Sequence, residues 1–235
     1  MSNFLRLCQL SRQECGLAGD GPTSVDSQTG VMKKVVDRTQ RAWVDIQASR
    51  PYWKFLRSQI TFVLTPGVRE YSISTDLNTT TVDKWDIQSS WIYATSGADE
   101  TKLAWIDYQR YRNLYRTFPA GRPTRIVETP GDSIAFDKTP DQAYTITLDY
   151  WQTAEKLTAN TDIPLCPEQF HDVIVWKSVM MFSGNETATE LFAHAKSMYQ
   201  PMYAQLVVDQ GDMPPARNDY PIAKGSSASS TYRTF

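Results

Sequence analysis

The chain is poor in the residues that do chemistry. Its 235 residues hold only two histidines and three cysteines. A metal site asks for three or four ligands at recognisable spacing, and Cys8, Cys15, Cys166, His171 and His194 are too few and too scattered to supply one. His171 follows Cys166 closely, but a nucleophile–base pair needs both side chains within hydrogen-bond reach and a third group to orient the base. Ordinary structural residues account for both more simply. No phosphate-binding glycine loop, dinucleotide fingerprint, H-E-x-x-H or G-x-S-x-G occurs. Asp99 and Glu100 are adjacent in a polar, turn-like stretch and read as solvated. The expectation is a non-enzyme with no catalytic, cofactor-binding or metal-binding residues. Three thiols fit no disulfide framework and are expected to be reduced, in a cytosolic setting. No window approaches ~18 consecutive apolar residues, so no membrane span is expected. The start, Met1-Ser2-Asn3-Phe4-Leu5-Arg6, lacks the pattern of a signal peptide.

What is present is material for a core. Apolar residues make up 41% and aromatics 12% of the chain, which excludes general disorder, and the length suits one large domain. The net charge of −2 hides an asymmetry. Residues 1–125 carry 17 Lys/Arg against 12 Asp/Glu, a balance of +5, and residues 126–235 carry 7 against 14, a balance of −7. Folding can interleave the halves and erase the contrast. If it persists, a basic end and an acidic end suit stacking on copies or partners. Nothing is basic enough to argue nucleic-acid binding from charge alone.

Periodicity sets the plan. Leu5, Leu7, Cys8 and Leu10 predict a helix over 4–16 that stops at Gly16. Met32, Val35, Val36, Thr39, Ala42, Trp43 and Ile46 form a stripe at three- and four-residue steps, predicting a helix over 24–49 that Arg50-Pro51 ends. From residue 58 to about 151 the period is two. Strands are expected over 58–64, 68–74, 84–87, 90–95, 103–106, 125–128, 133–136 and 144–150, with a short helix over 108–118 capped by Asp107. Short turns favour antiparallel pairing. Helices return over 167–183 and 187–210. The first is apolar on most sides, and the second opens with the capping-box pattern Thr187…Glu190 and is kinked at Pro201. The expected fold class is α+β. N- and C-terminal helices make a helical base, an antiparallel β-sheet layer is inserted between them, and residues 1–211 form a single domain. Residues 212–235 are expected to form an extended C-terminal arm.

Two segments invite partners. Arg110, Arg112 and Arg116, with Arg122 and Arg125, interleave with Tyr108, Tyr111 and Tyr115. Three readings stay open: an amphipathic helix with tyrosines inward, a protein interface, or phosphate contacts with base stacking. In 212–235, Tyr220, Ile222, Tyr232, Arg233 and Phe235 stand on a Gly/Ser/Pro-rich backbone. A frayed terminus is the plain reading. The spaced anchors favour an arm that orders on a partner surface. Seven tryptophans and a β layer also raise a carbohydrate-binding or hydrolytic component, which needs Trp85, Trp91, Trp105 or Trp151 exposed on one face.

The run L-C-Q-L-S-R-Q-E-C-G-L-A-G-D-G-P…Q-T-G, followed by R-A-W-V-D-I-Q-A-S-R-P-Y-W-K-F-L-R, resembles the head-to-tail adaptor (connector) proteins of tailed bacteriophages, of the short-tailed, podovirus-like type. G-R-P-T-R-I at 121–126, Y-W-Q-T-A-E-K-L-T at 150–158 and I-P-L-C-P-E-Q-F-H at 163–171 succeed it in the family's order. The resemblance implies a structural virion protein at the head–tail junction, assembled in the host cytoplasm. It implies a homo-oligomeric ring, usually of twelve copies, that docks under the portal protein, extends the DNA channel and offers a platform to tail or nozzle proteins. A ring needs two different complementary faces on each copy.

Overall fold

A computed structural model describes residues 2–94, 98–185 and 188–211. Helix α1 (Phe4–Glu14) starts where the Asn3 side chain accepts the Arg6 N–H at 2.9 Å, and it ends before Gly16, whose φ of 67° lies in the left-handed region. Helix α2 (Gly30–Ala48) begins later than the expected residue 24. Ser27 (φ 56°) and Gly30 (φ 58°) break a helical path, and the Asn160 side chain instead takes the Val25 N–H at 2.7 Å. The residues just ahead of the helix are thus held as a loop.

Among its described residues the β region holds eight strands: β1 (Arg57–Val63), β2 (Glu70–Ser72), β3 (Val82–Tyr93), β4 (Thr101–Lys102), β5 (Ala104–Trp105), β6 (Arg125–Thr129), β7 (Ser133–Phe136) and β8 (Thr145–Gln152), with helix α3 (Tyr108–Leu114) between β5 and β6. They form two four-stranded sheets, in the orders β1-β8-β3-β4 and β2-β7-β6-β5. The inserted layer is therefore double. The first sheet is antiparallel throughout. The second is mixed, because β5 runs parallel to β6; α3 and the loop after it carry the chain back to start β6 in the same direction. The two strands expected over 84–87 and 90–95 are one long strand, β3, whose register against β8 slips between Trp85 and Ser90. Ile92, Ile146 and Leu148 from one sheet, with Leu64 just past β1, share a core with Tyr71, Ile126, Ile134 and Phe136 from the other.

Helices α4 (His171–Asn185) and α5 (Thr189–Gln210) complete the base. A 3-10 turn (Glu168–Phe170) leads into α4, with Pro167 at its N-cap. Helix α4 packs on α1, α2 and α5, so apolar residues on most of its sides are buried, among them Val173, Ile174, Trp176 and Val179. Helix α5 is a single element with Pro201 inside it and Ala188 as its N-cap; Thr187 lies outside the described residues. Phe4, Leu7, Trp43, Ile46 and Trp53 join α4 and α5 in one core. Through it runs a polar seam, where the Thr39 hydroxyl lies 3.2 Å from that of Ser11 and 3.1 Å from that of Ser178, all three buried.

The β region is rooted in this base. Trp151, on β8, belongs to the helical core, and Tyr52 meets it edge-on at 5.0 Å. Arg57 stacks on Trp151 at 5.6 Å and pairs with Asp86 at 2.7 Å and Asp149 at 3.1 Å.

Candidate functional site

Helix α3 carries the Arg/Tyr segment. Asp107 caps it, accepting the N–H groups of Gln109 at 2.8 Å and Arg110 at 3.1 Å. The helix stops at Leu114 rather than reaching residue 118, because Tyr115 turns to extended backbone (ψ 95°) and its phenol takes the Arg125 guanidinium at 2.8 Å. Arg110, Arg112 and Arg116 are exposed, Tyr111 is buried, and Tyr108 and Tyr115 are half-buried. Tyr111 donates to the Phe136 carbonyl at 3.1 Å. Burial pushes its phenol above the ordinary value, against the opposing effect of Arg69, so it stays neutral. Arg112 donates to the Tyr108 phenol at 3.2 Å.

The sequence pattern missed Arg69. It lies just past the Thr65-Pro66-Gly67 turn, far from α3 in sequence, yet its guanidinium sits 3.7 Å over the Phe118 ring and donates to the Tyr111 phenol. Arg69, Arg112, Tyr108, Tyr111, Tyr115 and Phe118, with Glu70 at the rim, line a recess of about 290 Å³. Each tyrosine phenol there meets an arginine. The recess can seat one or two side chains and favours an anionic or planar group. The other nominated contacts, Tyr220, Ile222, Tyr232, Arg233 and Phe235, lie outside the described residues.

The motifs that carried the resemblance are packing devices. Arg122 donates to Asp99 Oδ2 at 2.9 Å and to the carbonyls of Ile92 at 2.7 Å and Asp99 at 2.6 Å. Thr124 and Arg125 both bond the buried Asp137 carboxylate. Gln47 on α2 exchanges two hydrogen bonds with the Glu155 backbone, at 2.9 and 2.8 Å, while the Glu155 carboxylate accepts the Trp43 indole N–H at 3.1 Å and the Leu165 N–H at 3.2 Å. Desolvation raises the Glu155 carboxyl above its ordinary value.

The tryptophans make no glycan platform. Trp85, Trp105 and Trp151 are buried, at 7%, 7% and 2% exposure, and Trp91 is the one of the four that is exposed, at 36%. Burial pushes the Cys8, Cys15 and Cys166 thiols up to about 12, far from thiolate reactivity. His171 contacts the Cys166 backbone carbonyl at 3.1 Å rather than the thiol. Among the described residues no three His, Cys, Asp or Glu side chains converge on a metal position. No described helix is long and apolar enough to cross a membrane.

Compared with known families, the chain matches the SU10 adaptor protein family over residues 3–220. No curated protein matches it.

Proposed function

The chain belongs to the SU10 adaptor protein family, whose members are structural phage proteins rather than enzymes, and from that premise we propose that copies of it form a ring beneath the portal. In this reading the ring has twelve subunits, extends the DNA channel and presents a platform to tail or nozzle proteins at the head–tail junction. Particles assemble in the host cytoplasm. The observation that carries the reading is the reach of the family match, which spans the helical base and the whole β insert and runs past Gly211. Residues 1–211 act as one domain, and residues 212–235, with Tyr220, Ile222, Tyr232, Arg233 and Phe235, reach the portal as an arm.

The exposed guanidiniums of Arg110, Arg112 and Arg116 then meet a neighbouring subunit or a tail protein. Negative-stain images of purified protein mixed with portal test the ring. Twelvefold rings on portal particles are the expected result, and monodisperse monomers beside bare portals would sink it. Deleting 212–235 should weaken portal capture at least about tenfold, and unchanged capture would remove the arm from the account.

A further inference from the structure

Three recesses on the β region run into one another. The first, about 280 Å³, opens beside Arg50, Pro51 and Leu56 and shares Asp83 and Lys84 with the second, of about 360 Å³. The second shares Ile87, Trp105 and Glu128 with the third, of about 480 Å³, which ends at Asp107, Pro130 and Asp132. The result is one trough from the helical base to the loop between β6 and β7. Its lining is aromatic: Trp85 and Trp105, each 7% exposed, stack at 5.7 Å with 28° between their planes, and Tyr52 lies alongside. Its rim is acidic, carrying Asp83, Glu128, Asp107 and Asp132 against Lys84 and Arg50.

The chain leaves the helical base at the mouth of this trough. Gly211 forms an antiparallel bridge with Trp53. Arg50, which lines the first recess, lies close enough to Gly211 that a Cβ there would sit 3.0 Å from its guanidinium. The segment 212–235 has the composition the trough would take. Tyr220 and Ile222 supply apolar anchors for an aromatic lining, and Arg217, Lys224 and Arg233 outnumber Asp212 and Asp219 opposite an acidic rim. The segment can span up to ~80 Å, so length does not limit it.

We propose that in the unassembled protein residues 212–235 dock along this trough of their own subunit, with Tyr220 and Ile222 over the Trp85–Trp105 stack. The trough is a parking site, and any partner that recruits the segment must first compete it away. The inference does not depend on ring formation, because it is read on the isolated chain.

Hydrogen exchange on the full-length protein, compared with a full-length Tyr220→Ser/Ile222→Ser double variant, provides the test. Both substitutions lie outside the described fold, so the helical base and the sheets remain as a reference. In the parent, amides around residue 220 should exchange at least about tenfold more slowly than in a free peptide of the same sequence. In the double variant that protection should disappear, together with protection at 82–88 and 104–108, while α2 and α4 keep theirs. Free-peptide rates around residue 220 in the parent, or trough protection indifferent to the variant, would overturn the proposal. Protection that grows with protein concentration would assign the trough to a neighbour's segment and overturn the same-subunit docking.

Discussion

The helical base and the β region solve the same problem in different ways. The base is closed by residues far apart in the chain: Thr39 meets Ser178, 139 positions on, and Gln47 meets Glu155, 108 positions on. Its polar contacts are internal and its two halves meet only after the β excursion is complete. The β region is one continuous stretch that closes on itself: Arg57 on β1 meets Asp149 on β8, 92 positions on, while in the second sheet the buried Asp137 carboxylate holds Thr124 and Arg125, only 13 and 12 positions away. The difference teaches that the base depends on the β region for closure, since its two halves flank that stretch and the pairing of β1 with β8 shortens the loop between them. Trp151 and Arg57 make the dependence physical by planting the sheet root in the helical core.

The sharpest way to break this contrast is Trp43→Ala in the base against Phe136→Ala in the β core, both side chains being fully buried. Each should cost ~3–5 kcal/mol in urea unfolding. If the sheet root couples the regions, tryptophan fluorescence and far-UV circular dichroism will report one shared transition for both variants. Two separated transitions would show that the regions fold independently.

A smaller effect is expected at the polar seam. Thr39→Val keeps the shape but strands the Ser11 and Ser178 hydroxyls, for a loss of ~1–3 kcal/mol. Making Ser11→Ala and Ser178→Ala in the same background should recover part of it, which a double-mutant cycle would measure.

On the β side, Asp107→Ala removes the cap of α3 and should cost ~1 kcal/mol. Hydrogen exchange should rise across 108–114 and leave α2 and α4 unchanged. A rise in the base as well would mean that the recess around Arg69 communicates with it.

The smallest effect is a pH dependence at Glu155, where the halves of the base meet. Its carboxyl is raised above 4.5 by burial, so the folded protein binds that proton more tightly than the unfolded chain. The stabilisation is fully present below 4.5 and is lost as pH rises through the raised folded value. Glu155→Gln keeps an acceptor for Trp43 and Leu165 without the desolvated charge. It should raise stability at neutral pH by under ~1 kcal/mol and the gain should vanish below 4.5 in thermal melts followed across pH.

The long helices were legible in the sequence because their buried faces repeat: the stripe Val35–Thr39–Ala42–Trp43–Ile46 is the buried face of α2. The start of α2 was less legible, since it depends on Asn160 reaching back to Val25. Pairing direction was hidden for a different reason. Ala104 and Trp105 read as any short strand, and only the path of α3 and the loop after it makes β5 parallel to β6. In the candidate recess, the Arg/Tyr spacing of α3 was visible, but Arg69 and Phe118 arrive from segments whose proximity is a property of the second sheet. The tryptophans misled in the opposite sense, because a count of indoles does not say which of them the two sheets enclose.

Gly211 closes the end of α5 against Trp53. A Cβ at this position would press on the Val207 carbonyl, which belongs to rigid helix backbone, and sit 3.0 Å from Arg50. Relief would come from rotating the exit of the chain away from Trp53. The absence of a side chain at 211 is therefore what lets the last turn of α5 and the Trp53 backbone close on each other.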